Sequence, residues 1–311
     1  MESLNDAINK IARATHKGSA DYTHLMKAVY QDPDVQKFLK AHEDELTSAS
    51  ISRGEAKLFE FVNQKQKNAN GEDVFAPGYE PTLVISNNLI DISYKPTKQL
   101  QARQQSEQMK QRIRSISMPK FIQHASLDDF ILDEKSRGDA LVKATKFVTD
   151  YIQTPDQFHP GLYLYGNFGV GKTFLLGAIA NQLAKSGVTS TLVHFPSFAV
   201  EMRNSISSDV NSGEKIDSIK KTPILMLDDV GADSMSAWVR DDVLGVILEY
   251  RMQQELPTFF SSNLSMDTFE KEHLSVTSRG DIDPLKARRL MERIRFLSRE
   301  VTMAGENRRQ K

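Results

Sequence analysis

Apolar positions change their period along the chain, and the changes divide it. Near the start, Leu4, Ile8 and Ile11 recur at helical spacing behind Ser3. Val35, Phe38 and Leu39 do so after Asp32 and Pro33, and Leu58, Phe61 and Val62 mark a third helix. The period then drops to two. Pro81 to Ile85 and Leu89 to Tyr94 flank Ser86, Asn87 and Asn88, which is the chemistry of a hairpin turn. From Ala125 onward, short apolar runs alternate with helix-sized stretches. A helix is expected from Glu134 to Tyr151, and strands at Gly161 to Tyr165, Thr191 to Phe195, Pro223 to Leu227, Pro257 to Ser262 and Arg299 to Met303. This alternation predicts an α/β fold: a parallel sheet of five strands sandwiched by helices, with ligands at the carboxyl ends of the strands.

Between the two patterns lies a stretch of different composition. Residues 98–120 carry six Lys/Arg against one Asp/Glu, are rich in Gln and poor in bulky apolar residues, and read as an exposed helix or linker. A solvated spacer is the first reading of it; the other is contact with a phosphate backbone, since Arg103, Lys110, Arg112 and Arg114 could line one side of such a helix. The expected organisation is therefore a small, mainly helical domain with a β-hairpin over 1–97, a basic linker over 98–120 and an α/β domain over 121–311.

The whole chain has a formal net charge of −1, so global charge selects no partner. Its 311 residues contain no cysteine, which excludes disulfides, thiolate nucleophiles and Cys-based zinc sites, and its seven histidines are scattered; no zinc is expected. No apolar run approaches the ~18 residues that cross a bilayer, and the first residues lack a basic-then-apolar signal, so a cytoplasmic location without membrane contact is expected.

The candidate chemistry begins where the first of these strands ends. Gly166, Asn167, Phe168, Gly169, Val170, Gly171, Lys172 and Thr173 form G-x-x-x-x-G-K-T between an apolar strand and a helix-forming run that starts at Phe174. Glycines let the loop curl with its N–H groups inward, and the helix adds free donors and the positive end of its dipole. Lys172 would reach the β- and γ-phosphates of a nucleotide, and the Thr173 hydroxyl would join the coordination of Mg²⁺.

About 55 residues after Lys172, the apolar run Ile224 to Leu227 ends in Asp228 and Asp229. Beside a phosphate loop, Asp228 is placed to hold the Mg²⁺ shell, and Asp229 to orient and deprotonate the water that attacks the γ-phosphate. Asn263 ends the next strand, where it could touch that phosphate or that water; a turn-forming Asn is the other reading. Arg289 and Arg293, four residues apart, share a helical face. An arginine offered to a neighbouring subunit would make triphosphate hydrolysis depend on assembly, whereas a solvated basic helix needs no function. Arg308 is a second candidate for touching the nucleotide.

Taken in order, Gly166 to Thr173, Leu227 to Asp229, Asn263, Arg289 to Arg293 and Arg308 resemble the AAA+ ATPases, and within them the DnaC-like loaders of the replicative helicase. The runs 161–174, 225–235, 236–242, 256–263 and 305–309 look like the primosomal loaders of Gram-positive bacteria. This resemblance implies ATP and Mg²⁺ as ligands, with Lys172 and Thr173 on phosphate and metal, Asp228 supporting the metal, Asn263 as sensor I, Arg289 as arginine finger and Arg308 as sensor II. It implies a DnaB-type helicase hexamer bound through residues 1–97, AAA+ domains that self-associate on that hexamer, single-stranded DNA as a partner, and work at replication sites on the nucleoid.

Two departures stand out. Asp229 replaces the Glu usual in AAA+ proteins, and a shorter side chain positions water poorly, which predicts slow hydrolysis. The stretch 68–77 also lacks the cysteines of relatives that carry a zinc fold there. For DNA, the resemblance points to the segment after the second strand of the α/β domain: Phe198 could stack on a base while Arg203, Lys220 and Lys221 follow phosphates, or Phe198 and Met202 belong to a core. The alternatives are an IstB-type transposition ATPase, or an adaptor that binds ATP without hydrolysing it.

Overall fold

The computed structural model describes residues 20–205, 212–232, 235–276, 280 and 282–308; the helix expected around Leu4, Ile8 and Ile11 lies outside them. Contacts divide the chain into two compact units, with the break between Gln105 and Ser106.

In the first unit, α1 (Ala20–Gln31), α2 (Pro33–Ala41), α3 (Ser48–Arg53) and α4 (Glu55–Asn70) precede the antiparallel strands β1 (Tyr79–Ser86) and β2 (Leu89–Pro96). Asp32 caps α2, accepting from the N–H groups of Asp34 and Val35, and Pro33 fills the first helical position, where no N–H is needed. α4 ends at Gly71 in a left-handed conformation, the usual helix stop. Asn87 and Asn88 both have positive φ, as a two-residue hairpin turn requires. Val35, Leu39, Leu58, Phe61 and Val62 from the helices meet Leu83 and Ile90 from the strands in one core, without metal-binding cysteines.

The stretch 98–120 is more ordered than a spacer. It holds α5 (Lys98–Gln111), which buries no residue, and then β3 (Ile113–Ile116). The second unit continues with α6 (Lys135–Gln153), β4 (Gly161–Tyr165), α7 (Lys172–Lys185), β5 (Ser190–His194), α8 (Phe195–Ser205), α9 (Ser212–Lys220), β6 (Ile224–Asp228), α10 (Gly245–Gln253), β7 (Thr258–Ser262), α11 (Pro284–Leu297) and β8 (Ser298–Thr302). All neighbouring strands of its sheet are parallel, in the order β3-β5-β6-β7-β4-β8.

The sheet therefore has six strands where the sequence pattern gave five. The added strand is β3, at the edge beside β5. It has only four residues, Ile113 and Ile116 are half-buried, and Arg114 and Ser115 between them are exposed, so no apolar run marks it. Arg112 donates to the Ala184 carbonyl and Arg114 to the Ser218 hydroxyl, which ties two cations of the basic stretch to the sheet unit.

Separate cores cover the two faces of the sheet. One places Ala144, Phe147 and Val148 of α6 and Leu175 to Leu183 of α7 against Leu162, Leu164 and Met226; the other places Phe198, Met202, Leu248 and Met291 against Tyr163, Leu225 and Phe260. Arg251 of α10 is fully buried and donates to the carbonyls of Thr222 and Pro257 and to the Thr258 hydroxyl. It thus pins the starts of β6 and β7, so that their far ends, which carry the polar residues, lie level.

Candidate nucleotide site

The polar residues of the site lie at or just past the carboxyl ends of β4, β6 and β7, and the strand order puts these ends side by side. After β4 the chain turns sharply at Gly166. A Cβ there would stand 1.8 Å from the Met303 carbonyl oxygen, so only glycine lets the loop pass beneath the segment after β8. Gly171, at φ 95°, starts α7 with no side chain capping it, which leaves the helix N-terminus as a cradle of donors for phosphate.

Lys172 is 7% exposed and turns back into this loop. Its ammonium donates to the carbonyls of Gly166 at 2.7 Å and Asn167 at 2.9 Å, and to Oδ1 of Asn263 at 2.8 Å. One cation thereby joins the phosphate loop to the end of β7. Opposite it, the Thr173 hydroxyl donates to both carboxylate oxygens of Asp228, at 2.9 and 3.1 Å. Asp228 is 3% exposed, and burial pushes its carboxyl above the ordinary carboxylate range, opposed by the hydrogen bonds from Ser261 and Thr173. Asp229 has φ 60°, and its carboxylate is 3.4 Å from Nδ2 of Asn263.

These groups line a cavity of about 590 Å³, an ordinary size for a small-molecule site. Its polar floor is Lys172, Thr173, Asp228, Asp229, Ser261 and Asn263; its apolar wall includes Phe121, Phe130, Phe168 and Phe174. Phe174 stacks on Phe121 and on Phe130, at centroid distances of 6.5 and 6.3 Å, a surface suited to the face of a planar base. Of these, Phe121 and Phe130 escaped the sequence reading, since they sit in a stretch without apolar period.

Arg137 also escaped it. This arginine is 2% exposed, on the same stripe of α6 as Ala140, Ala144 and Phe147. Its guanidinium lies 4.3 Å over the Phe130 ring, bonds the Val170 and Ile131 carbonyls and pairs with Asp133 at 3.0 Å. Burial and the charge of Arg308 hold its pKa below the ordinary arginine value, against the pull of Asp133. An arginine placed within the core stripe of a helix was the one signal that marked it. Arg308 pairs with the same Asp133, its backbone N–H donates to the Gly169 carbonyl, and its buried Nε has no partner. A donor held at a phosphate loop in this way suits an anionic ligand.

Other candidates lie elsewhere. Arg289 is exposed on α11, and Arg293 is bound to the Gly245 carbonyl at 3.1 Å and to Glu249 at 2.7 Å; neither lines the cavity of its own chain. Phe198 is 1% exposed and packs in the core with Met202, so it cannot stack on a base, and the core reading holds. Lys220 and Lys221 share Asp217, and Lys220 also lies 5.2 Å over Tyr250; Arg203 is exposed.

A parallel sheet with this loop after β4 and this acid pair at the end of β6 defines an ATP-binding protein of the AAA+ fold. Residues 1–94 match the family model of the primosomal protein DnaI N-terminus, and residues 90–311 that of the IstB-like ATP binding protein. The replicative helicase loader DnaI of Bacillus subtilis (strain 168) is 39% identical over 293 residues, 92% of each chain. The chain belongs to the DnaI family of replicative helicase loaders. A DnaI crystal structure is 46% identical, with a TM-score of 0.56 over 62% of this chain and 98% of that one. The DnaC helicase loader, 20% identical with a TM-score of 0.50 over 60% of this chain and 100% of that one, shares the fold.

Proposed function

We propose that this chain is an ATP-dependent loader that places a DnaB-type replicative helicase hexamer on single-stranded DNA during primosome assembly. The observation that carries the reading is the joining of a loader-type N-terminal segment to a cavity where Lys172, Thr173 and Asp228 converge. That N-terminal match also favours a loader over a transposition ATPase, which would share only the second part.

The residues present suit ATP with Mg²⁺. Bound there, the metal nucleotide supplies a phosphoanhydride and the charge that withdraws electron density from its γ-phosphate. Lys172 and the loop from Gly166 to Thr173 bind the phosphates, and Phe174 flanks the base. The Thr173 hydroxyl and the Asp228 carboxylate hold the metal shell. Asp229 orients the attacking water and takes its proton, with Asn263 beside it; its short side chain makes this step slow in the isolated chain. Arg308 neutralises phosphate charge from above, and Arg289 reaches the site of a second copy, so that turnover rises when AAA+ domains assemble on the helicase. Residues 1–97 grip the helicase, and exposed Arg203 and Lys221 contact the strand. The work takes place in the cytoplasm, at replication sites on the nucleoid.

Mass measurement of the full chain mixed with the helicase hexamer, with and without ATP, tests the reading. A complex that gains loader copies with ATP is expected; absence of any complex in either condition overturns it. Absence of phosphate release in the presence of helicase and single-stranded DNA would leave an adaptor that uses ATP as a structural ligand.

A further inference from the structure

Ser261 stands between the two acids and was not among the residues that the sequence pointed to. It is 1% exposed and next to last in β7. Its hydroxyl donates to Oδ1 of Asp228 at 2.5 Å, and its oxygen accepts the backbone N–H of Asp229 at 2.9 Å. The Asp229 N–H can only donate, so the Ser261 oxygen accepts it, and the one hydroxyl hydrogen of Ser261 goes to the Asp228 carboxylate. A single buried group therefore connects the side chain of one acid to the backbone of the next.

The second connection matters because Asp229 is in the left-handed region, at φ 60°. For a residue with a Cβ this costs about 1 kcal/mol, and it persists only where neighbouring groups hold it. The Ser261 carbonyl also accepts the N–H of Val230 at 2.8 Å, so β7 grips the bend at consecutive residues. That bend brings both Asp228 and Asp229 to the wall of the same cavity.

We propose that Ser261 is a positioning residue for the acid pair: it orients the Asp228 carboxylate toward the Mg²⁺ shell and holds the backbone bend that turns Asp229 into the cavity. The inference rests on the ATP reading above and assigns part of its Mg²⁺ dependence to a residue that acts through the two acids. The neighbouring serine supplies a control. Ser262 is equally buried and also makes two bonds, to the Val230 carbonyl at 2.6 Å and from the Leu264 N–H at 3.1 Å, but none to an acid.

The test is binding of a fluorescent ATP analogue to the full chain, titrated with Mg²⁺. Ser261→Ala should raise the half-saturating Mg²⁺ about tenfold, the scale of losing one charge-assisted hydrogen bond. Binding in excess EDTA should stay unchanged, and kcat should fall with little change in KM. Ser261→Ala and Ser262→Ala should lower Tm by similar amounts, but Ser262→Ala should leave the Mg²⁺ requirement where it was. Ser261→Cys, close in size and a weak donor, should shift the requirement less and in the same direction. A wild-type Mg²⁺ requirement in both Ser261 variants, or an equal shift in Ser262→Ala, overturns the inference alone. Absence of Mg²⁺-dependent binding in the unaltered chain removes the ATP reading itself.

Discussion

Arg289 and Arg293 stand one turn apart on α11, and only Arg293 has a partner on its own chain among the described residues. It is held by Glu249 at 2.7 Å and by the Gly245 carbonyl, while Arg289 projects into solvent. A guanidinium kept free on a rigid helix is available to another molecule, whereas a paired one contributes to packing between helices. Arg289→Ala should leave ATP affinity and Tm unchanged and remove the turnover stimulated by the helicase complex. Arg293→Ala should cost about 0.5–1 kcal/mol of stability, as expected for a partly exposed pair. Phosphate release with and without helicase, beside thermal melts, separates the two; unchanged stimulated turnover in Arg289→Ala removes it from the finger role.

Lys172 joins the phosphate loop to Asn263 through its ammonium. Lys172→Ala should weaken binding of ATP on the order of 100-fold, equal to about 3 kcal/mol. Because two loop carbonyls lose their donor, protection of the loop against hydrogen exchange should fall as well. Calorimetry and exchange measured on one preparation check both effects.

Arg137 bonds the phosphate loop at Val170 and shares Asp133 with Arg308. Arg137→Ala leaves the Ile131 and Val170 carbonyls short of a donor and should destabilise the second unit by about 3 kcal/mol, the scale for breaking a buried charge network. Arg137→Lys should restore little, since an ammonium lacks the planar fork and the stacking on Phe130. Urea denaturation followed by the fluorescence of Trp238, the sole tryptophan, gives the direct readout.

In the first unit, burial opposes ionisation of Asp32, but the hydrogen bonds from Lys65 and from the N–H groups of Asp34 and Val35 outweigh it, and its pKa lies below the ordinary 3.8. A carboxylate with a depressed folded pKa contributes stability that is complete above 3.8 and is lost as pH falls through the folded value. Asp32→Ala should therefore destabilise this unit by about 1 kcal/mol near neutral pH, and the difference from wild type should shrink in acid, as pH falls from 3.8 through the depressed folded value. Hydrogen exchange in α2 at neutral and at acid pH measures it.

Local chemistry made much of this molecule legible in one dimension. The Asp32 and Pro33 start, the paired asparagines of the hairpin, the apolar strands and the glycine spacing of the phosphate loop all act within a few residues. Tertiary structure alone decided what depends on distant partners. β3 is a strand because β5 offers it a ladder, not because four residues with two isoleucines prefer that state. Phe198 belongs to the core because α8 turns it toward the sheet, although a base-stacking aromatic would look the same in sequence. Arg137, Arg251 and Ser261 read as ordinary polar residues; they gain their roles when carbonyls and acids far along the chain are brought within hydrogen-bond range and out of water, where each unmade bond is costly.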